Sequence, residues 1–270
     1  MSTQPKARRL TLSDLGKRHQ AGEKLVMLTC YDASFAALSE AAGVELLLVG
    51  DSLGNVVQGQ DSTLPVTLQE MCYHTAAVRR GSERAMIVAD MPFGASQISP
   101  EETFRNVVPL MAAGAQMVKI EGGREMAETV RFLTHRGVPV CGHIGLTPQS
   151  VHQLGGFHVQ GKSEADAERL SEDALALEAA GAAMLVLEAM PATLGEAVTK
   201  RLHIPTIGIG AGVKTSGQVL VLYDMLDISP GKKPRFVKNF MAGAENVQAA
   251  VAAYVREVKS GIFPSVEFSY

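Results

Sequence analysis

The stretch Val44-Glu45-Leu46-Leu47-Leu48-Val49-Gly50-Asp51 decides the fold class. It is a short aliphatic run, interrupted only by Glu45, that stops on a glycine and an acid. Such a strand shows no alternation of apolar and polar residues, so both of its faces are buried. That is the signature of a parallel sheet covered by helices. Comparable runs recur at 25–29, 85–89, 116–120, 138–142, 183–187, 205–209 and 219–222.

Longer amphipathic segments separate these runs, at 33–42, 67–80, 123–136, 163–180 and 194–202, with a final one at 243–258. Another opens at Ser99-Pro100-Glu101-Glu102, an N-cap followed by a proline at the first helical position and acids in the first turn. Gly43, Gly81, Gly114, Gly137 and Gly181 mark helix ends. Eight strands alternating with helices predict an α/β fold, a single-domain (β/α)₈ TIM barrel over residues 1–270. A short N-terminal arm with Lys6, Arg8 and Arg9 leads into a first helix near Thr11, and a helix ends the chain. The alternative, an open doubly wound sheet, lacks its GxGxxG in the first βα turn, and no linker or composition shift divides the chain.

The 270 residues carry a formal net charge of -3 with scattered basic residues, which excludes the basic stripe of a nucleic-acid binder. No segment approaches the roughly 20 apolar residues that cross a bilayer. Cys30, Cys72 and Cys141 are odd in number and far apart, which fits reduced thiols better than disulfides or a zinc site. The chain reads as cytoplasmic, with small-molecule substrates and neither nucleic-acid nor membrane partners.

In a barrel, the chemistry sits at the C-terminal strand ends. Here those ends repeatedly carry ionisable groups: Asp32, Asp51, Asp90, Lys119 with Glu121, His143 and Glu188. Folding alone does not ask apolar strands to stop on acids, because a buried carboxylate needs a partner. Asp51, Asp90 and Glu121 belong to neighbouring strands and form a hard-oxygen set suited to Mg²⁺. Taken singly, each acid also reads as a helix N-cap, and Asp32 reads best that way. Lys119 and Glu121 lie two apart and face one side of their strand. The lysine either holds a substrate carboxylate or makes a structural ion pair. His143, expected in a loop after strand five, is a candidate proton shuttle or oxyanion donor. Glu188, ending an apolar strand, is the candidate general base. Gly208-Ile209-Gly210-Ala211-Gly212 stands where many barrels bind phosphate, and reads more readily as close backbone packing.

At these residues the chain resembles the 3-methyl-2-oxobutanoate (ketopantoate) hydroxymethyltransferase family, from about Thr11 to Pro264. The resemblance is carried by the collinear motifs 29–33, 49–54, 89–93, 118–123, 142–149, 155–162 and 208–212. It implies transfer of a hydroxymethyl group from 5,10-methylenetetrahydrofolate to 3-methyl-2-oxobutanoate. The product would be 2-dehydropantoate for pantothenate synthesis, formed through a Mg-stabilised enolate. One Mg²⁺ per subunit would be held by Asp51, Asp90 and Glu121. The 2-oxo acid would lie against Asp51, Ser52, Asp90, Lys119 and His143, and Glu188 would accept the proton. A homodecamer is implied as well. Barrel lyases and mutases acting on related acids carry a catalytic cysteine in a loop such as KKCGH, which this chain lacks; Cys141 falls inside strand five. A non-catalytic scaffold would have lost the strand-end acids, and all are present.

Overall fold

The computed structural model of the chain describes residues 8–270, so Lys6 lies outside them. Eight parallel strands form a closed barrel in chain order. They are β1 (Leu25–Thr29), β2 (Leu46–Val49), β3 (Met86–Asp90), β4 (Met117–Glu121), β5 (Val140–Gly145), β6 (Met184–Glu188), β7 (Thr206–Ile209) and β8 (Gly217–Leu220). Helix α1 (Leu12–Gln20) precedes the barrel. Then α2 (Ala33–Ala41), α3 (Leu68–Gly81), α4 (Pro100–Ala113), α5 (Ala127–Thr134), α6 (Glu164–Ala179) and α7 (Ala192–Arg201) follow β1 to β6 in turn. Residues 210–216 join β7 to β8 without a helix, and α8 (Val247–Lys259) closes the chain's helical ring.

The local signals explain where the helices begin. Thr11 with Asp14 and Thr67 with Glu70 form capping boxes, and Ser99, Ser163 and Asn246 accept from the third backbone amide of their helices. Asp32 is such a cap, accepting from Phe35 N at 2.9 Å. The segment after β4 starts its helix later than the glycine at 123 suggests, because one 3₁₀ turn (Arg124–Met126) comes first.

The strands outlast their apolar runs. Asp90 pairs with Lys119 in register, Glu121 with His143, and Gly145 with Glu188. The ladder is a backbone property and continues where inward side chains turn polar at the cavity. His143 therefore lies within β5, not in the loop expected for it. Strand β8 is shifted two residues earlier than its hydrophobicity suggests, because pairing of Leu25 to Leu28 with Gly217 to Leu220 is what closes the barrel.

That closing seam is secured from outside. The fully buried Tyr254 of α8 directs its hydroxyl at Met27 O of β1 (2.9 Å) and Gln218 O of β8 (3.0 Å). At the opposite end from the site, Glu45 accepts from Val26 N at 2.9 Å and pairs with Lys259 at 2.7 Å and with Arg18. The acid that interrupts the second apolar run thus ties α1 and α8 to the barrel floor. Replacing Tyr254→Phe removes a buried hydroxyl from two strand carbonyls and is expected to cost about 1–2 kcal/mol. The melting temperature should fall by roughly 2–4 °C per kcal/mol. An unchanged melting temperature would show that the seam closes without it.

Candidate active site

The C-terminal strand ends open into one cavity of about 980 Å³ whose lining includes Asp51, Ser52, Asp90, Lys119, Glu121, His143 and Glu188. All seven of the expected site residues therefore meet there. Strand alternation produces this: Lys119 and Glu121 share the inward side of β4, and Cys141 and His143 that of β5. Gly142 between them faces outward, where a Cβ would strike Leu177 of α6.

The floor is buried and densely charged. Asp51, Asp90, Lys119, Glu121 and His143 are all buried, and only Glu188 keeps 14% of its side chain exposed. Lys119 Nζ stands 3.2 Å from Asp90 Oδ1, 3.7 Å from Glu121 Oε1 and 3.0 Å from His143 Nδ1. An ammonium only donates, so when the His143 ring is neutral its Nδ1 accepts and its proton sits on Nε2; a second proton would go to Nδ1, which also stands 3.5 Å from Glu121 Oε1. Nε2 is 3.2 Å from Glu188 Oε2, close but not aligned as a hydrogen bond. Asp51 N donates to Asp90 Oδ2 at 3.0 Å, and Tyr31 and Ser52 share a hydroxyl–hydroxyl bond of 2.9 Å.

Protonation equilibria follow from this crowding. Burial pushes the Asp51 carboxyl well above the usual range, and the charges of Asp90 and Glu121 push it further. Burial raises Asp90 too, with Lys119 opposing. For Glu121, burial is outweighed by its contacts with His143 and Lys119, and its pKa falls. Burial disfavours a charged Lys119, yet Asp90, Glu121 and Asp51 together overcome it and hold the ammonium. Burial and Lys119 oppose a charged His143, and Glu121 with Glu188 outweigh them. Cys141 is a packing group: burial pushes its thiol up to about 12.

Gln149 is the residue that reading the chain missed. It lies in the 3₁₀ turn Pro148–Ser150, buried, and its amide Nε2 donates to Asp51 Oδ2 (2.8 Å) and Met91 O (2.9 Å). Its backbone N donates to Glu121 Oε2 at 3.0 Å. One residue thus holds two of the three carboxylates. The sequence offers only a glutamine after a proline, and nothing in its spacing says that the turn folds back over the strand ends.

The glycine cluster after β7 resolves toward packing. A Cβ on Gly210 would come 2.7 Å from the Phe236 ring, and one on Gly212 2.6 Å from Ala192, and both residues have positive φ. Among the described residues, no three His, Cys, Asp or Glu side chains are spaced to close on a single ion. Lys119 stands between Asp90 and Glu121, while Gln149 engages Asp51.

A family model described as ketopantoate hydroxymethyltransferase matches residues 9–266. The chain belongs to the ketopantoate hydroxymethyltransferase family. Relatives named 3-methyl-2-oxobutanoate hydroxymethyltransferase include one from Dechloromonas aromatica (strain RCB), 63% identical over 270 residues, covering 100% of this chain and 99% of its own. Another, from Azoarcus sp. (strain BH72), is 65% identical over 262 residues, covering 97% of each chain. Solved structures share the barrel at low identity. A phosphonopyruvate hydrolase superposes with a TM-score of 0.61 at 13% identity, over 95% of this chain and 92% of its own. A 2,3-dimethylmalate lyase, a PEP mutase/isocitrate lyase superfamily member, gives 0.57 at 17% identity, over 77% and 80%. These two speak to the fold alone, and the barrel expected of a ketopantoate hydroxymethyltransferase is the barrel observed.

Within this family member, Gln149→Leu keeps the bulk and removes the amide. Asp51 Oδ2 would lose its donor in a buried setting, a cost of about 1–3 kcal/mol. We expect turnover to drop by roughly 10- to 100-fold, as for other groups that orient a ligand from behind. Steady-state kinetics beside a thermal melt check this; full turnover in a folded variant would reduce Gln149 to a packing residue.

Proposed function

We propose that the chain transfers a hydroxymethyl group from 5,10-methylenetetrahydrofolate to 3-methyl-2-oxobutanoate, giving 2-dehydropantoate. The observation that carries this reading is the Glu188–His143–Lys119 line: a partly exposed carboxylate at the cavity, backed by a buried imidazole and a buried ammonium. It is what enolisation of a 2-oxo acid requires, a base on one side and positive charge near the developing oxyanion on the other.

The donor chemistry of the floor fits Mg²⁺. Asp51, Asp90 and Glu121 offer hard oxygen donors, and Asp90 Oδ1 and Glu121 Oε1 are buried beside the Lys119 ammonium without an aligned hydrogen bond. Three carboxylates against the one ammonium leave two negative charges in excess when all are ionised. An incoming 2-oxo acid would add another in a site of low dielectric, which calls for a divalent cation. Asp51, Asp90 and Glu121 would have to close from their present spacing to hold it, and when bound it would supply Lewis acidity toward the keto oxygen.

The chain's own groups do the rest. Lys119 Nζ and Ser52 Oγ hold the substrate carboxylate against the strand ends. Glu188 takes the C3 proton, and the Nε2–H of His143 steadies the carboxylate that does so. Water adds to the methylene carbon of the folate as its two C–N bonds break, releasing tetrahydrofolate and a one-carbon unit at the formaldehyde level. The C3 carbon then bonds to that carbon, and its oxygen takes back the proton held by Glu188 to become the hydroxyl.

The same reading includes a homodecamer acting in the cytoplasm. The decamer is carried over from the family resemblance alone; the cytoplasmic placement is supported by the three free cysteines and by the absence among the described residues of any helix long and apolar enough to cross a membrane. Sedimentation velocity should give a particle near ten times 28.7 kDa, and a monomer would end the decamer reading.

The chemical step is tested by following C3-proton exchange of 3-methyl-2-oxobutanoate in D₂O by NMR, with Mg²⁺ and with EDTA. Exchange should require the metal and no folate. In Glu188→Gln it should fall by roughly 10²- to 10⁴-fold, the range expected for a general base. Exchange at the native rate in that variant would assign the base elsewhere.

A further inference from the structure

The carboxylate floor is held from behind by a chain of amides that begins at the protein surface. After β3 the backbone turns, with Ala95 N donating to Pro92 O at 3.0 Å. Gly94 sits in this turn with a φ of +84°, a conformation that residues with a side chain rarely adopt. The turn aims two backbone amides at one atom: Gly94 N stands 2.8 Å and Ser96 N 3.2 Å from the side-chain oxygen Oε1 of Gln97. Helix α4 holds the loop through Asn106, whose Nδ2 donates to Ala95 O at 2.9 Å.

A backbone N–H only donates, so the atom of Gln97 that takes two of them is the amide oxygen, and its other arm is the NH₂. That arm donates to Oε1 of Gln149 at 3.2 Å. The polarity of Gln149 follows, with its oxygen toward Gln97 and its NH₂ toward Asp51 Oδ2 and Met91 O. Gln97 is exposed, whereas Gln149 and Asp51 are buried. The direction set by two backbone amides at the surface therefore passes through two side chains to a buried carboxylate.

We infer that Gln97 is a positioning residue for the metal-dependent step: acting through Gln149, it fixes the direction of the Asp51 carboxylate from behind the cavity wall. The inference rests on the reading in which Asp51 serves Mg²⁺. Its physical basis is the near symmetry of an amide. The two ends of the group have almost the same shape and opposite hydrogen-bonding character, so packing alone does not choose between its orientations. Turned over, Gln149 would aim its oxygen at a carboxylate oxygen and a carbonyl, both acceptors. It would also set its NH₂ against the NH₂ of Gln97. The anchored Gln97 thus selects the one orientation in which every arm of the chain is paired, and buried amides left unpaired are costly.

The test measures Mg²⁺ binding to the substrate-free enzyme by calorimetry, beside a thermal melt. In Gln97→Leu the Kd for Mg²⁺ should rise by roughly three- to tenfold, less than the roughly 10- to 100-fold of a residue that itself touches a metal-binding group. Gln97→Glu keeps the shape and the acceptor for Gly94 and Ser96, so the turn stays built, but it presents a second oxygen to Gln149. An added negative charge alone attracts a cation and would tighten Mg²⁺ binding, whereas lost positioning weakens it. The sign separates the two, and a weakening of roughly tenfold is expected. In the Gln149→Leu background, Gln97→Leu should add no further loss, because the chain is already cut. Folded Gln97 variants that bind Mg²⁺ as tightly as the native enzyme would overturn the inference. Losses that multiply in the double variant would overturn it too, by showing that Gln97 acts along another route. A native enzyme that binds no Mg²⁺ would remove the metal reading and the role of Gln97 with it.

Discussion

The ammonium of Lys119 among buried carboxylates is the interaction on which the upper half of this barrel depends. Removing Asp51, Asp90 and Glu121 from water is costly, and their mutual repulsion adds to the cost. A single buried cation, 3.2 Å from Asp90 and 3.7 Å from Glu121, offsets part of it, and Gln149 contributes donors to Asp51 and Glu121. The two oxygens that face Lys119, Asp90 Oδ1 and Glu121 Oε1, still lack an aligned hydrogen bond. A protein selected for stability alone would replace such a cluster with aliphatic side chains. Its persistence inside an otherwise apolar core is the physical trace of chemistry.

Barrel geometry makes this concentration possible. Parallel strands in consecutive order bring Asp90 beside Lys119 and Glu121 beside His143 by register, so side chains far apart in the chain meet through the ladder. The backbone hydrogen bonds are satisfied whichever side chains point inward, which lets strand ends carry charge without unravelling. The seam between β1 and β8, secured by Tyr254, then keeps the ring closed beneath them. Loops add what strands cannot. The turn at Pro148–Ser150 folds Gln149 over the strand ends, and the loop after β3 brings Gln97 against it.

Much of this was legible in the residues. Doubly buried aliphatic runs between capped helices specify a parallel barrel, and the acids that end those runs mark its working face. Asp32 read correctly as a cap, because a capping interaction is local and its signal lies within three residues. His143 did not read correctly as a loop residue, because strand length is set by the neighbour's free backbone groups as well as by local hydrophobicity.

By itself, then, the sequence determined the alternation of elements, the closed eight-stranded class, the family and the set of charged residues at the strand ends. Only the tertiary structure decided that Lys119 contacts His143 and Asp90 together, that Gln149 is the donor to two carboxylates, that the glycines after β7 serve packing, and that Gln97 donates to Gln149. The reason is the range of the forces. Hydrophobic periodicity and capping act over a few residues and leave their mark in spacing. Burial, register and charge crowding are sums over neighbours distant in the chain, and they exist only once the barrel has closed.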